Sequence, residues 1–300
     1  MTETSQYDDL IAKESRHWGE VRQDPQNPQI WHDPKLFEIF FGKEYRHFLD
    51  RTLANGPRIL ELGCGEGNLT LELSSRGMDL TAIDLSTERI ERARTRAMGL
   101  DLQIQPNWIV GDLNTFPLPK NGFDSVVAHD SLHHILHLGP LCEEVKHALK
   151  PGGYFIVMDY VGMGFLRKLL AGSLYGLLPT YQPYSVKWRL RKRLSGFLAT
   201  EGQKRNALDH ESPEALHDHS PFEEISQESI IDEIKKRFEI VELQSFCPFW
   251  FYLAAKIRVP ARWKYPIARF LRSFDDLIVR LHLAGGAYIL IVARNTTSAM

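Results

Sequence analysis

The feature that most constrains this chain is a short apolar run that stops on three alternating glycines. Arg58-Ile59-Leu60-Glu61-Leu62 leads into Gly63-Cys64-Gly65-Glu66-Gly67, and Asn68 then opens the leucine-rich segment Leu69-Thr70-Leu71-Glu72-Leu73. The run reads as a buried strand and the segment after the glycines, 68–76, as a helix. Glycine carries no Cβ and adopts conformations closed to other residues, so a turn this rich in it lets the backbone pack close against a ligand. A dinucleotide turn usually reads GxGxxG, with a pyrophosphate on the helix N-terminus. Here the spacing is GxGxG, and Glu61 lies at the strand end. That carboxylate would repel a pyrophosphate and would suit a ligand bearing an amino group and a positive sulfonium.

The pattern then repeats. Leu80–Asp84 reads as a second strand and Thr87–Met98 as a helix, Trp108–Val110 as a third strand, and Phe123–Ala128 as a fourth. A helix over about 138–149 and the turn Lys150-Pro151-Gly152-Gly153 lead to a fifth strand, Tyr154–Met158. Strand–helix alternation at this spacing implies parallel, right-handed crossover units. Two more acids fall at strand ends: Asp84, placed to accept from ribose hydroxyls, and Asp112, placed to take an adenine amino group. Open α/β sheets bind ligands at that edge.

Upstream, a helix is expected over about 35–54, ended by Asn55-Gly56-Pro57. Downstream, 160–221 shows no strand, 228–238 reads as a helix, Ile240–Leu243 as a sixth strand, Arg269–His282 as a helix, and Tyr288–Ala293 as a final strand.

Composition bounds the setting. The 300 residues are 43% hydrophobic and 25% charged, as in soluble globular proteins that bury a sizeable core. The net charge of -2 does not point to a nucleic-acid binder. Cys64, Cys142 and Cys247 form no CxxC pair, which fits a reducing compartment rather than a disulfide framework or zinc site. The polar N-terminus is not a secretory signal, and no apolar run reaches the roughly 18 residues of a membrane span. The expected location is cytoplasmic, with peripheral contact at the inner membrane surface a further option.

ILELGCGEGNLTLELSSRG, AIDLS, GDLNTFPLP, FDSVVAHDSLHHI and LKPGGYFIV resemble the successive motifs of class I S-adenosylmethionine-dependent methyltransferases. The resemblance covers 58–160 strongly and 225–293 loosely. It implies an α/β, Rossmann-like sheet of seven mostly parallel strands with helices on both faces, and helical insertions forming a lid. The implied organisation is a helical cap over 1–56, the cofactor domain over 57–160 and 223–300, and a basic, aromatic lid over 161–222. The cofactor implied is S-adenosyl-L-methionine. Glu61, Gly63, Cys64 and Gly65 would line its methionine end, Asp84 its ribose, Leu85 its adenine face, and Asp112 and Leu113 its adenine edge. His129 and Asp130 would sit beside the sulfonium. His133, which faces the substrate side in similar sequences, is the first candidate for a general base, and His134 the second. Histidine titrates near neutrality, which suits that work. Neighbouring side chains on a helix diverge by about 100°, and no further Asp/His pattern completes a site, so no metal is expected.

The acceptor is less constrained. Residues 161–200 contain seven basic residues and 243–274 contain six, with no acid in either stretch. Both are rich in aromatics, among them Tyr175, Trp188, Trp250 and Trp263. A solvated lid is one reading; a pocket for an anionic or lipid-linked acceptor docked on an anionic membrane is another. Leu166, Leu169, Leu170, Leu174 and Leu177, beside Arg167 and Lys168, are compatible with an interfacial helix. Nucleic acid is disfavoured: the NPPY-type tetrapeptide of base methylation is missing, and the corresponding region reads His129-Asp130-Ser131-Leu132. Trp31-His32-Asp33-Pro34 and His219–Ile225 resemble segments of methyltransferases in bacterial glycan and secondary-metabolite pathways. The favoured function is methyl transfer to a small-molecule or lipid-linked glycan acceptor. An RNA or protein methyltransferase and a non-catalytic module keeping the cofactor fold are the alternatives.

Overall fold

In the computed structural model, residues 3–20, 28–181, 183–184, 222 and 225–296 are described. Most of the lid segment, including Lys187, Trp188, Arg189, Arg191, Lys192 and Arg193, lies outside the described residues, as do His219, Ser220, Pro221, Glu223 and Glu224.

The alternating pattern builds one seven-stranded sheet in the order β3-β2-β1-β4-β5-β7-β6. The strands are β1 (Arg58–Leu62), β2 (Asp79–Asp84), β3 (Asn107–Val110), β4 (Phe123–His129), β5 (Leu149–Tyr160), β6 (Glu239–Phe246) and β7 (Tyr288–Arg294). β1 pairs parallel with β2 and β4, and β4 pairs parallel with β5. β7 lies antiparallel between β5 and β6.

Side chains alternate between the two faces of each strand, and two apolar clusters follow from that. Ile59, Leu80, Val127 and Ile156 join one with Leu36, Phe40 and Phe48 of α2 (Pro34–Phe40) and α3 (Gly42–Leu53) and with Leu69 and Leu73 of α4 (Asn68–Ser74). Leu60, Ile83, Val126 and Phe155 join the other with Leu141 and Val145 of α6 (Leu138–Ala148) and Ile230 and Ile234 of α8 (Ile230–Lys235). α5 (Thr87–Met98) follows the Ser86 cap.

Several expectations are corrected. The single helix foreseen over 35–54 is two helices, broken at Phe41; α2 starts where Asp33 Oδ1 accepts from the Lys35 and Leu36 amides, just before Pro34. The turn expected at 150–153 is part of β5: Gly152 has φ 76, and a register shift on β4 between Phe123 and Ser125 absorbs the irregularity. The late helix starts earlier than expected. α10 (Ala261–Arg280) runs through Pro266, which lies in its second turn and deprives the Arg262 carbonyl of its N–H partner. α7 (Phe165–Leu177) takes up the leucine pattern read as a helix over 166–177, whereas α9 (Phe251–Ala254) was foreseen only as composition and α1 (Glu3–Glu20) only as part of a cap.

Candidate functional site

The glycine turn works as its spacing demands. Gly63, Gly65 and Gly67 have φ of 70°, 55° and 74°, where a side chain is strained. A Cβ on Gly63 would collide with Ser131, and one on Gly67 would lie 2.6 Å from the Trp108 ring. The Gly63 and Cys64 amides both donate to the Ile83 carbonyl, at 2.8 and 3.0 Å. The turn is therefore bound to the tip of β2 as well as growing from β1.

Asp84 closes that junction. Its Oδ2 accepts from the Gly65 amide at 2.7 Å, and its Oδ1 from the Ser86 amide at 2.9 Å. Sequence reasoning assigned Asp84 to a ribose; the fold also makes it the brace of the glycine turn. Each carboxylate oxygen has two lone pairs, so one acceptor position per oxygen remains for ribose hydroxyls.

Glu61 is buried, and the Thr70 hydroxyl donates to its Oε2. Burial pushes its pKa up to about 8, and the nearby Asp84 charge adds to the rise. A cationic ligand group seated there would oppose that rise by favouring the ionised acid. The fit to a ligand with an ammonium and a sulfonium thus rests on a buried acid and a side-chain-free cradle.

Asp112 sits past β3. Its Oδ1 accepts from the Asn114 amide and side chain at 3.0 and 2.9 Å, and its Oδ2 from the Tyr7 hydroxyl of α1 at 2.5 Å. Leu113 is buried and Leu85 half-buried nearby in the chain. Helix α1 reaches the ends of β2 and β3. Ser15 Oγ donates to the Leu85 carbonyl at 3.4 Å, Arg92 of α5 donates to the Gly19 carbonyl at 3.2 Å, and Trp18 sits edge-on to His134 at 5.0 Å. Sequence reasoning did not single out Tyr7, Glu14 or Trp18. Their signal is weak, because only Leu10 and Glu14 of this helix's described side chains are buried.

The loop after β4 carries the candidate base. Asp130 takes a left-handed turn at φ 54, and Leu132–His134 form one 3-10 turn. His133 Nδ1 lies 2.6 Å from Asp159 Oδ1. Asp159, fully buried at the end of β5, also accepts from the amides of Ser131 (2.9 Å), Leu132 (2.7 Å) and Tyr160 (2.8 Å). A carboxylate that takes three N–H groups offers only acceptors, so His133 meets it through an Nδ1–H. Asp159 is the residue sequence reasoning missed. The parallel register that aligns His129 with Met158 brings it beside the loop.

His134 is turned elsewhere. Its Nδ1 lies 3.5 Å from Glu14, whose Oε1 also accepts from the Trp18 indole at 2.7 Å, so His134 seats α1. His129 touches the rings of Tyr45 and Phe48, and burial lowers its pKa. Asp130 accepts from the Tyr288 hydroxyl at 3.3 Å, and burial raises its pKa. The expectation that nothing completes a metal site needs correction in one respect. Asp130, His133 and Asp159 bring three potential ligand atoms within 4.8 Å of one another. The three backbone bonds to Asp159 and its bond to His133 already account for that arrangement as a histidine–aspartate dyad.

From His133 an array of rings leads outward. Tyr160 lies 6.0 Å from His133 and 5.4 Å from Tyr288. Tyr288 meets Phe41 at 4.9 Å and Phe251 at 5.2 Å, and Phe41 meets Trp31 at 5.0 Å. Trp31, 38% exposed, ends the array.

Comparison with known proteins bears on the fold and the family. Residues 60–157 match the methyltransferase domain family. The chain is 32% identical to an uncharacterized methyltransferase of Mycobacterium bovis, over 39% of this chain and 58% of that one. It is 30% identical to a ubiquinone biosynthesis O-methyltransferase of Xylella fastidiosa, over 51% of this chain and 58% of that one. The chain thus spans less than two thirds of the length of these relatives. Its fold is similar to the geranyl diphosphate C-methyltransferase of Streptomyces coelicolor A3(2), with TM-score 0.53 and 15% identity over 95% of this chain and 98% of that one.

Proposed function

We propose that this chain, whose fold is that of the class I S-adenosylmethionine-dependent methyltransferases, transfers a methyl group to a small-molecule or lipid-linked acceptor. S-adenosylmethionine is the cofactor, and when bound it supplies the electrophilic methyl. The observation that carries the reading is the His133–Asp159 pair one loop from the glycine turn.

The residues divide the work. Glu61 holds the amino group of the cofactor, Asp84 its ribose, and Asp112 with Leu113 its adenine edge. Gly63 and Gly65 let the backbone close in without side chains in the way. His133 takes the acceptor's proton at Nε2, while Asp159 accepts from Nδ1 and steadies the imidazolium that forms. Ser131 Oγ donates to the Leu62 carbonyl at 2.8 Å, which fixes the base loop to β1 and so to the cofactor turn. The aromatic array excludes water and aligns an apolar or ring-bearing acceptor. Holding the two reactants in line is worth on the order of 7–11 kcal/mol at its limit.

One relative is named an O-methyltransferase of ubiquinone biosynthesis, and one structural neighbour a geranyl diphosphate C-methyltransferase. A small or lipid-linked acceptor for this chain is consistent with those names and with the rings around His133. The test is incubation of the full chain with methyl-labelled cofactor and fractionated cell extract. Label is expected in the small-molecule or organic-soluble fraction, and label confined to RNA or protein would refute the acceptor class.

A further inference from the structure

Helix α10 is built inside out. On its inner side Ala268, Arg272 and Asp275 are buried. Arg272 bonds Glu44 Oε1 at 2.7 Å and the Phe40 carbonyl, and Asp275 accepts from the Phe249 and Trp250 amides at 3.4 and 3.0 Å. The outer side carries Trp263, Ile267, Phe270, Phe274, Leu277 and Leu281, all exposed, with Phe270 at 70%. These six recur every three or four residues, the spacing of a single helix face. A surface helix normally turns that stripe to the core. This one turns a charged network inward and its apolar stripe to the outside, over an axis of about 30 Å.

Charge says what covers the stripe. Arg262, Arg269 and Arg280 are exposed and fall in one column along its flank, seven and eleven residues apart. The only acids of the helix are Asp275, which is buried, and Asp276, 3.1 Å from Arg272. A second apolar face adjoins. In α7, Phe165, Leu166, Leu169 and Leu170 are exposed, Leu166 at 77%. Arg167 of that helix donates to the Gly285 carbonyl at 2.6 Å and to the Pro248 carbonyl at 3.2 Å, which ties its first turn to the segment that follows α10. No described helix is long and apolar enough to cross a membrane. An apolar face flanked by arginines, with no exposed acid of its own left unpaired, is the pattern of a helix lying in the plane of an anionic interface.

We propose that the outer face of α10, extended by α7, docks this chain on an anionic lipid surface. The surface is distinct from the cofactor cleft, so binding is measured without turnover. It still bears on the active centre, because Arg272 joins α10 to the segment that carries Phe37, Phe40 and Phe41.

Sedimentation of the full chain with vesicles tests it, using phosphatidylcholine alone and phosphatidylcholine with phosphatidylglycerol, at low and high salt. The chain is expected to pellet with the anionic vesicles at low salt and to be partly released by high salt. Phe270→Glu/Phe274→Glu, and separately Arg262→Glu/Arg269→Glu/Arg280→Glu, should each cut the bound fraction by about tenfold or more. Circular dichroism and S-adenosylhomocysteine affinity should match the unsubstituted chain. All five sites are exposed, so the arginine set keeps the test intact if the phenylalanine pair disturbs folding. Failure of the unsubstituted chain to pellet with anionic vesicles at low salt would overturn the proposal. So would binding indifferent to lipid charge, or a light-scattering dimer that Phe270→Glu/Phe274→Glu converts to monomer, since the stripe would then belong to a second copy.

Discussion

The edge of the sheet formed by β1, β2 and β3 differs in kind from the side formed by β5, β7 and the helices around them. At the first, short-range geometry does the work: three left-handed glycines, two backbone amides on Ile83 and one carboxylate that braces the turn. At the second, rings from Trp31, Phe41, Tyr160, Phe251 and Tyr288 meet across more than two hundred residues of chain. On the proposed reading the first holds one ligand whose form does not vary. The second is shaped by packing, and packing can be remodelled ring by ring to suit a new acceptor. The dyad of His133 and Asp159 stands on the boundary and, on the proposed reading, serves both.

The strongest test of that division removes the boundary group. His133→Ala should lower turnover about a hundred- to ten-thousandfold and leave S-adenosylhomocysteine affinity nearly unchanged in calorimetric titration. A matched loss of cofactor affinity would merge the two regions into one. Asp159→Asn should also depress turnover, and it should shift the pH–rate profile, because the imidazolium loses its anionic partner.

Next in size is the brace. Asp84→Ala leaves the Gly65 and Ser86 amides without their acceptor and removes the expected ribose contact. Equilibrium dialysis should show S-adenosylhomocysteine binding weakened about tenfold or more. Binding that survives the substitution would mean the ligand sits elsewhere.

A pH series sharpens the same half. The folded Glu61 has its pKa raised to about 8, so from the ordinary carboxylate range up to that value the folded chain holds a proton the unfolded chain has released. Its contribution to stability is therefore full at low pH and is lost as pH rises through about 8. Ligand binding runs the opposite way, because an ammonium group prefers the ionised acid. Affinity for S-adenosylhomocysteine should fall by up to about tenfold per pH unit below that point, and Glu61→Gln should flatten the dependence.

The smallest expected effect lies at the far end of the ring array. Trp31→Ala should raise the KM for the acceptor roughly three- to tenfold with kcat and cofactor affinity little changed. A fall in cofactor affinity instead would tie Trp31 to the first region.

The legibility of the sequence follows the same boundary. Thr87–Met98 and Arg58–Leu62 are helix and strand as the sequence reading expects, and Glu61, Gly63 and Asp84 stand at the ends of the paired strands β1 and β2, with Asp112 just past β3. Those features are local: each depends on residues within a few positions. Asp159 was visible only as the residue where the alternating pattern stops. Its partnership with His133 depends on strand register between β4 and β5, which a single sequence does not encode locally. α10 was placed late because Pro266 reads as a helix start or stop, and its outward stripe reads as core until burial is known. α1 escaped because only Leu10 and Glu14 of its described side chains are buried, so it shows no apolar stripe.

The central claim is that the glycine turn and three strand-tip carboxylates hold S-adenosylmethionine beside the histidine–aspartate dyad. A crystal structure with S-adenosylhomocysteine tests it most directly. The account predicts its amino group hydrogen-bonded to Glu61, its ribose to Asp84, and its sulfur facing the loop that carries His133. Ligand density away from those strand tips, in a crystal grown at saturating ligand, would contradict it.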